Sequence, residues 1–302
     1  MKALIADKIH EDGVKLIREF AEVDVSTGLK PAELIAKIAS YDILVVRSAT
    51  KVTKEVIDAG KKLKVVARVG VGLDNIDVEA AKAHGIKVLN ASEAPTIAVA
   101  ELVFALMLSL VRRLPQADAG MKAGRWEKAQ LMGSELREKT LGIVGTGRIG
   151  TAVGYRAKAF MMDILACDPT PNAELIKRTG ARYVAIDDLL RQSDFVTLHV
   201  ALTERTRHMI GRRELGLMKP TAVLINTSRG GVIDESALVE ALRQGKIAGA
   251  CLDVYEDEPP VGSPLLKLQN VVLTPHIGAS TAEAQRDAAI VVAQKIKEAL
   301  SQ

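Results

Sequence analysis

The chain has 302 residues, 48% of them apolar and 26% charged, with a formal net charge of +4 and a pI near 8.9. That length accommodates two domains of ordinary size with substantial cores, and the lack of a long run of like charge excludes a nucleic-acid-binding tail. Cys167 and Cys251 are the only cysteines, each inside an apolar strand-like run, which excludes a disulfide scaffold and fits a reducing compartment such as the cytoplasm.

The small positive excess is read as ordinary solvated surface. No signal peptide is expected, because Lys2 leads into a short alternating strand instead of an apolar core segment. Residues 1–94 then alternate strand patterns at 3–6, 23–25, 43–46, 65–69 and 87–89 with helical patterns at 11–20, 31–38, 54–59 and 78–84. Such alternation predicts a parallel sheet covered by helices. Pro31 suits a first helical turn. Two segments here begin with an arginine at or just past the end of a buried strand: Arg47-Ser48-Ala49-Thr50, and Arg68-Val69-Gly70-Val71-Gly72-Leu73-Asp74-Asn75-Ile76-Asp77. Ligands of open α/β sheets bind beyond the carboxyl ends of strands. Arg47 and Arg68 are therefore placed to meet an anion, with backbone N–H groups of the 70–72 turn beside them. Surface ion pairs and an ordinary glycine turn explain the same residues equally well.

Residues 97–111 are apolar apart from Glu101 and Ser109, a span of fifteen. That is short of the ~20 residues needed to cross a bilayer. It is read as a helix buried on several sides, at a domain or subunit interface. Residues 120–133, with the only Trp, Trp126, are read as a loop or arm.

Residues 140–168 carry the sharpest signal. Leu141-Gly142-Ile143-Val144 reads as a buried strand, and Gly145-Thr146-Gly147-Arg148-Ile149-Gly150 matches G-x-G-x-x-G. A helical pattern follows, then a strand at 163–167 ending in Asp168. Gly145 permits the tight turn, Gly147 lets a pyrophosphate reach the backbone, and Gly150 lets the helix pack close. The helix N-terminus favours the anion. Asp168 lies 18 residues past Gly150, near the ~20 expected for the acid that meets the ribose 2′-hydroxyl. A carboxylate there favours NAD over NADP. The alternative is a glycine-rich turn that binds nothing.

Strand patterns at 196–199, 222–225, 248–252 and 271–273 continue the alternation, with helices at 173–179, 186–191 and 235–244. A terminal amphipathic helix at 282–300 is expected to return to the first domain. The predicted fold class is α/β: two doubly wound parallel-sheet domains, a Rossmann NAD-binding domain and a smaller flavodoxin-like substrate domain. Arg229, Glu258 and His276 each follow a predicted strand of the second half. Hydride transfer at an alcohol carbon needs a base for the hydroxyl proton, and His suits that near neutral pH. A carboxylate orients an imidazole, and an arginine clamps a substrate carboxylate bidentately. His199, at a strand end, is the rival base; His10, His84 and His208 look like surface or turn residues.

These segments, together with Asn226-Thr227-Ser228-Arg229-Gly230-Gly231 and Pro275-His276-Ile277-Gly278-Ala279-Ser280-Thr281, resemble the D-isomer-specific 2-hydroxyacid dehydrogenases over nearly the whole chain. Within that family the chain looks most like the short phosphoglycerate-oxidising members. The resemblance implies NAD-dependent oxidation of 3-phospho-D-glycerate to 3-phosphohydroxypyruvate in serine biosynthesis, with His276 as acid/base, Glu258 as its support and Arg229 holding the substrate. It implies cofactor contacts at Gly145, Gly147, Arg148, Ile149, Gly150, Asp168, Thr227, Ser228, Arg229, Asp253, His276, Gly278 and Ala279, and substrate contacts at Arg47, Arg68, Val71, Gly72, Arg229 and His276. No metal, nucleic acid or membrane is implied. The family's architecture places residues 1–94 and 283–302 in the substrate domain and 95–282 in the nucleotide domain, and implies a homodimer through the helix near Ile97. Val71, Pro95 and Val200 depart from residues common in relatives. No C-terminal regulatory domain, and so no serine feedback through one, is expected. Other expectations kept open are a glyoxylate, hydroxypyruvate or other D-2-hydroxyacid dehydrogenase and, more remotely, an NAD-sensing corepressor-like protein.

Overall fold

The computed structural model describes residues 1–301 and divides into two compact units, Met1–Ala98 with the segment from Ala279 onward, and Val99–Gly278. In the first unit, short β-branched runs form strands β1 (Lys2–Ile5), β2 (Glu22–Val25), β3 (Ile43–Val46), β4 (Val65–Arg68) and β5 (Lys87–Asn90). All pair in parallel, in the order β2-β1-β3-β4-β5. The period of two sorts their side chains onto two faces. Leu4, Leu44, Val46 and Val66 meet helices Pro31–Ile38, Lys54–Ala59 and Val78–Ala83. Ala3, Ile5, Ile43, Val45, Val65 and Ala67 meet helix Glu11–Arg18 and the terminal helix Ala282–Ser301. Those two helices cross closely: a Cβ on Gly13 would lie 2.6 Å from that of Ala289.

The second unit holds β6 (Thr140–Val144), β7 (Asp163–Cys167), β8 (Arg182–Tyr183), β9 (Phe195–Leu198), β10 (Val223–Asn226), β11 (Gly249–Leu252) and β12 (Val271–Leu273). They too are all parallel, in the order β12-β11-β10-β9-β6-β7-β8. This is the doubly wound dinucleotide-binding order with one added strand, and its direction reverses between β6 and β9. Helix Thr96–Val111 supplies Val103, Phe104, Leu106 and Met107 to the core on one face of this sheet. Among the described residues, no helix is long and apolar enough to cross a membrane, and no cluster of His, Cys, Asp and Glu is arranged to hold a metal.

The structure corrects the sequence reading in three places. A helix, Leu114–Lys122, begins after Arg113, whose φ of 53° breaks the preceding helix, and Pro115 occupies its first turn. It runs into the region read as a loop or arm, which also holds a 3₁₀ turn at Lys128–Leu131 and an exposed Trp126. Strand β8 and the one-turn helix Arg212–Leu215 were not expected either; two and four residues are too few to show a period.

Candidate functional site

Because every strand of the second unit runs the same way, the carboxyl ends lie along one sheet edge. After β6 comes the glycine turn. Gly145 has φ +90°, and a Cβ on it would lie 2.5 Å from the His199 carbonyl oxygen. A Cβ on Gly150 would lie 2.0 Å from the Gly145 oxygen, so helix Arg148–Ala159 sits directly on the turn. Beside Gly147 there is nothing within 4 Å. Two glycines are thus required by protein packing, and the third leaves an open face at a helix N-terminus, the shape a pyrophosphate needs. Arg148 and Ile149 form that helix's first turn.

Asp168 follows β7, where its carboxylate accepts the N–H of Thr146 at 2.7 Å and that of Thr170 at 2.9 Å. A carboxylate has about four acceptor positions, so lone pairs remain for ribose hydroxyls. Behind the turn lies a hydrogen-bond network with no signal in the sequence. The Tyr183 hydroxyl, on β8, donates to Thr146 Oγ1 at 2.8 Å and accepts the Asn172 N–H at 2.9 Å. The Asn172 amide donates to Thr151 Oγ1 at 3.0 Å, and Thr151 Oγ1 donates to the Thr146 carbonyl at 2.9 Å.

Past β10, the buried Asn226 shapes the next loop. Its Oδ1 accepts the N–H and hydroxyl of Ser228 at 3.0 and 2.7 Å, and its amide donates to the Arg229 carbonyl at 2.9 Å. Asn226 stood in the recognised motif without an assigned role. Thr227 Oγ1 is buried and has no hydrogen-bond partner among the described residues, as expected of a hydroxyl that serves a bound molecule. Arg229 donates to the Ser228 carbonyl at 2.7 Å. Gly230 follows it against the Tyr255 carbonyl group, where a Cβ would come within 1.9 Å.

Past β11 and β12 lie the remaining polar groups. Asp253 is 1% exposed. Its Oδ1 accepts from the Thr274 hydroxyl at 2.6 Å and the Ile277 N–H at 2.8 Å, and its Oδ2 accepts the Gly278 N–H at 2.8 Å. Asp253 therefore fixes the loop that carries His276. His276 has φ +52°, an uncommon conformation for a residue with a side chain, and its Nδ1 lies 2.7 Å from Glu258 Oε2. Glu258 Oε1 accepts the Tyr255 N–H at 3.2 Å. The imidazole is half exposed, so the pair is anchored on one side and open on the other.

The rival histidine is differently placed. His199 Nε2 lies 2.9 Å from Thr197 Oγ1, and desolvation of the ring by surrounding protein pushes its pKa down to about 3. His208 pairs with Glu256 at 2.6 Å, and His84 with Asp58 at 3.1 Å.

The anion-binding candidates of the first unit lie at the carboxyl ends of its own sheet. Arg47 follows β3, with its backbone N–H on Asp7 at 2.6 Å. Arg68 ends β4, and its guanidinium turns into its own loop, donating to the Gly72 carbonyl and lying 3.5 Å from Asp74. Its side chain is only 13% exposed. Asn90 donates to the Val71 carbonyl at 2.5 Å. Gly278 ends the second unit, and Ala279 begins the segment belonging to the first.

Comparison with known proteins agrees with this fold. The family model "D-isomer specific 2-hydroxyacid dehydrogenase, NAD binding domain" matches residues 104–278. A D-3-phosphoglycerate dehydrogenase of Methanocaldococcus jannaschii is 52% identical over 301 residues, 99% of this chain and 57% of that protein. The chain thus spans little more than half of that relative's length. A hydroxypyruvate reductase of Thermotoga maritima is 49% identical over 297 residues, 97% of this chain and 96% of that protein. Among solved structures, D-lactate dehydrogenase of Aquifex aeolicus, complexed with NAD and lactic acid, superposes with a TM-score of 0.87 at 30% identity, covering 99% of this chain and 95% of that one.

Proposed function

The chain belongs to the D-isomer specific 2-hydroxyacid dehydrogenases, and within that family we propose that it oxidises 3-phospho-D-glycerate to 3-phosphohydroxypyruvate. The observation that carries the chemistry is the His276–Glu258 pair, 2.7 Å apart, on the same sheet edge as the glycine turn. NAD, held at the Gly145–Gly150 turn and by Asp168, would supply the hydride acceptor. His276 takes the hydroxyl proton on Nε2, because Nδ1 faces the Glu258 carboxylate. Glu258 holds the ring in that tautomer and stabilises the imidazolium once formed. Arg229 grips the substrate carboxylate and stabilises the developing carbonyl. Arg148, Ile149, Asp168, Thr227, Ser228, Gly278 and Ala279 contact the cofactor, and Asp253 keeps the His276 loop in register with it. Arg47, Arg68 and the Val71 and Gly72 backbone take the substrate's anionic end. The first unit serves as the substrate domain and the second as the nucleotide domain. A homodimer and a cytoplasmic setting complete the proposal; the unpaired thiols of Cys167 and Cys251 support the latter.

The phosphorylated substrate is supported by the 52% identity to a phosphoglycerate dehydrogenase and by the place of Arg47 just past β3. A second reading, reduction of hydroxypyruvate or glyoxylate, is favoured by the engagement of the Arg68 guanidinium with Gly72 and Asp74. A panel of 2-hydroxy and 2-oxo acids with NAD(H) separates them. The highest kcat/KM is expected with 3-phospho-D-glycerate and its oxidised product. A higher value for glyoxylate or hydroxypyruvate would overturn the phosphoglycerate assignment and leave the dehydrogenase intact.

A further inference from the structure

The strand order of the first unit reverses between β1 and β3, and open α/β sheets bind ligands at such a switch point. Asp7 follows β1 there and is 7% exposed. Its carboxylate accepts three donors from the loop after β3: the N–H of Arg47 at 2.6 Å, the N–H of Thr50 at 3.2 Å and the Thr50 hydroxyl at 2.8 Å. Asn75, in the loop after β4, holds the same segment from the other side. Its amide donates to the carbonyls of Arg47 and Thr50 at 2.7 and 2.6 Å. A flipped amide would set its oxygen against both carbonyls, so the contacts fix its orientation. That leaves Asn75 Oδ1 buried without a partner among the described residues. An unsatisfied buried acceptor is a cost to stability, accepted here to keep both carbonyls bound.

The result is a loop gripped at both ends. The inward N–H groups of Arg47 and Thr50 are used, while Ser48 and Ala49 stay exposed at its crest, with no acceptor for their N–H groups among the described residues. The same loop carries the Arg47 guanidinium, which donates to the Lys8 carbonyl at 3.4 Å, and N–H groups without an acceptor on a loop with a cation suit an anion. We infer that Asp7, Thr50 and Asn75 are positioning residues, which hold the 47–50 loop rigid so that it receives the phosphate of the substrate. This rests on the reading of Arg47 as a substrate contact.

The test compares Asn75→Ala, Thr50→Val, Thr50→Ser and Asp7→Asn with Arg47→Ala in the full chain. KM and kcat are measured for 3-phospho-D-glycerate and D-glycerate, with NADH affinity by fluorescence titration and melting temperature as a check on folding. Loss of one preorganising contact should raise KM by about tenfold in Asn75→Ala and Thr50→Val, with kcat and the NADH dissociation constant within about twofold. Thr50→Ser keeps the hydroxyl and should restore KM. A rise confined to 3-phospho-D-glycerate is the expected result; an equal rise with D-glycerate overturns the phosphate seat on this loop. If Asp7→Asn does not fold, the other variants carry the test. An unchanged KM in folded Asn75→Ala and Thr50→Val, with Arg47→Ala impaired, overturns the positioning role and leaves the substrate assignment standing. An unchanged KM in Arg47→Ala as well overturns the substrate assignment and the inference resting on it.

Discussion

His199 and His276 both follow strands of the nucleotide-binding sheet, but their surroundings separate them. His199 is kept neutral by desolvation, with a pKa near 3 against an ordinary 6.5. Unfolding restores the ordinary value, so the unfolded chain binds the extra proton between those limits. The contribution of His199 to stability is therefore present above about pH 6.5 and lost as the pH falls toward 3. Denaturant melts over that range should show stability declining with acid, and His199→Gln should flatten the slope; an unaltered slope would contradict a desolvated, neutral ring. The Glu258 side chain is held by its contacts to His276 and the Tyr255 N–H. Glu258→Gln keeps the shape and removes the charge, so kcat should fall on the order of a hundredfold while NADH affinity is kept. Asp168→Ala should narrow the preference for NAD over NADP by about tenfold, since the 2′-hydroxyl loses an acceptor and a 2′-phosphate loses a repelling charge. The ratio of kcat/KM with the two cofactors reads this directly.

At the level of elements, the glycine turn yields a paired prediction. Gly150→Ala forces a Cβ onto the Gly145 carbonyl, 2.0 Å away, and should lower the melting temperature together with NADH affinity. Gly147→Ala meets no protein atom within 4 Å, so it should melt like the parent and still bind NADH weakly. If both variants behaved alike, the open face at Gly147 would not be where the cofactor sits. The turn was legible in the sequence because strand, glycines, helix and acid all fall within one short stretch. The buried strands were legible for a related reason: runs such as Ile43–Val46 are apolar throughout, as a sheet covered on both faces requires. What was not legible depends on residues far apart in the chain. Tyr183 reaches Thr146 only because a two-residue strand adds to the sheet edge, and neither residue shows a pattern that announces the contact. Asp7 and Asn75 grip the 47–50 loop from positions 43 and 25 residues distant from Thr50. Glu258 and His276 were individually conspicuous, but their pairing came from resemblance alone; spacing along the chain carried no information about it.

At the scale of the whole molecule, each unit sets polar groups along the carboxyl edge of a parallel sheet, and each sheet has its own switch point. The nucleotide-type fingerprint occurs on one sheet only, and the other sheet carries the arginine loop. The matched family is one of NAD-binding 2-hydroxyacid dehydrogenases, while the relatives range from a phosphoglycerate dehydrogenase to a hydroxypyruvate reductase and a lactate dehydrogenase. His276, oriented by Glu258, is proposed to carry the proton in the oxidation of the substrate. That role is tested most directly by His276→Ala, with turnover measured in both directions and NADH binding measured by fluorescence on the same preparation. Loss of nearly all turnover is expected, oxidation and reduction alike, with NADH affinity close to that of the parent. Turnover within a few-fold of the parent would contradict it and return the search for the proton carrier to the rest of the sheet edge.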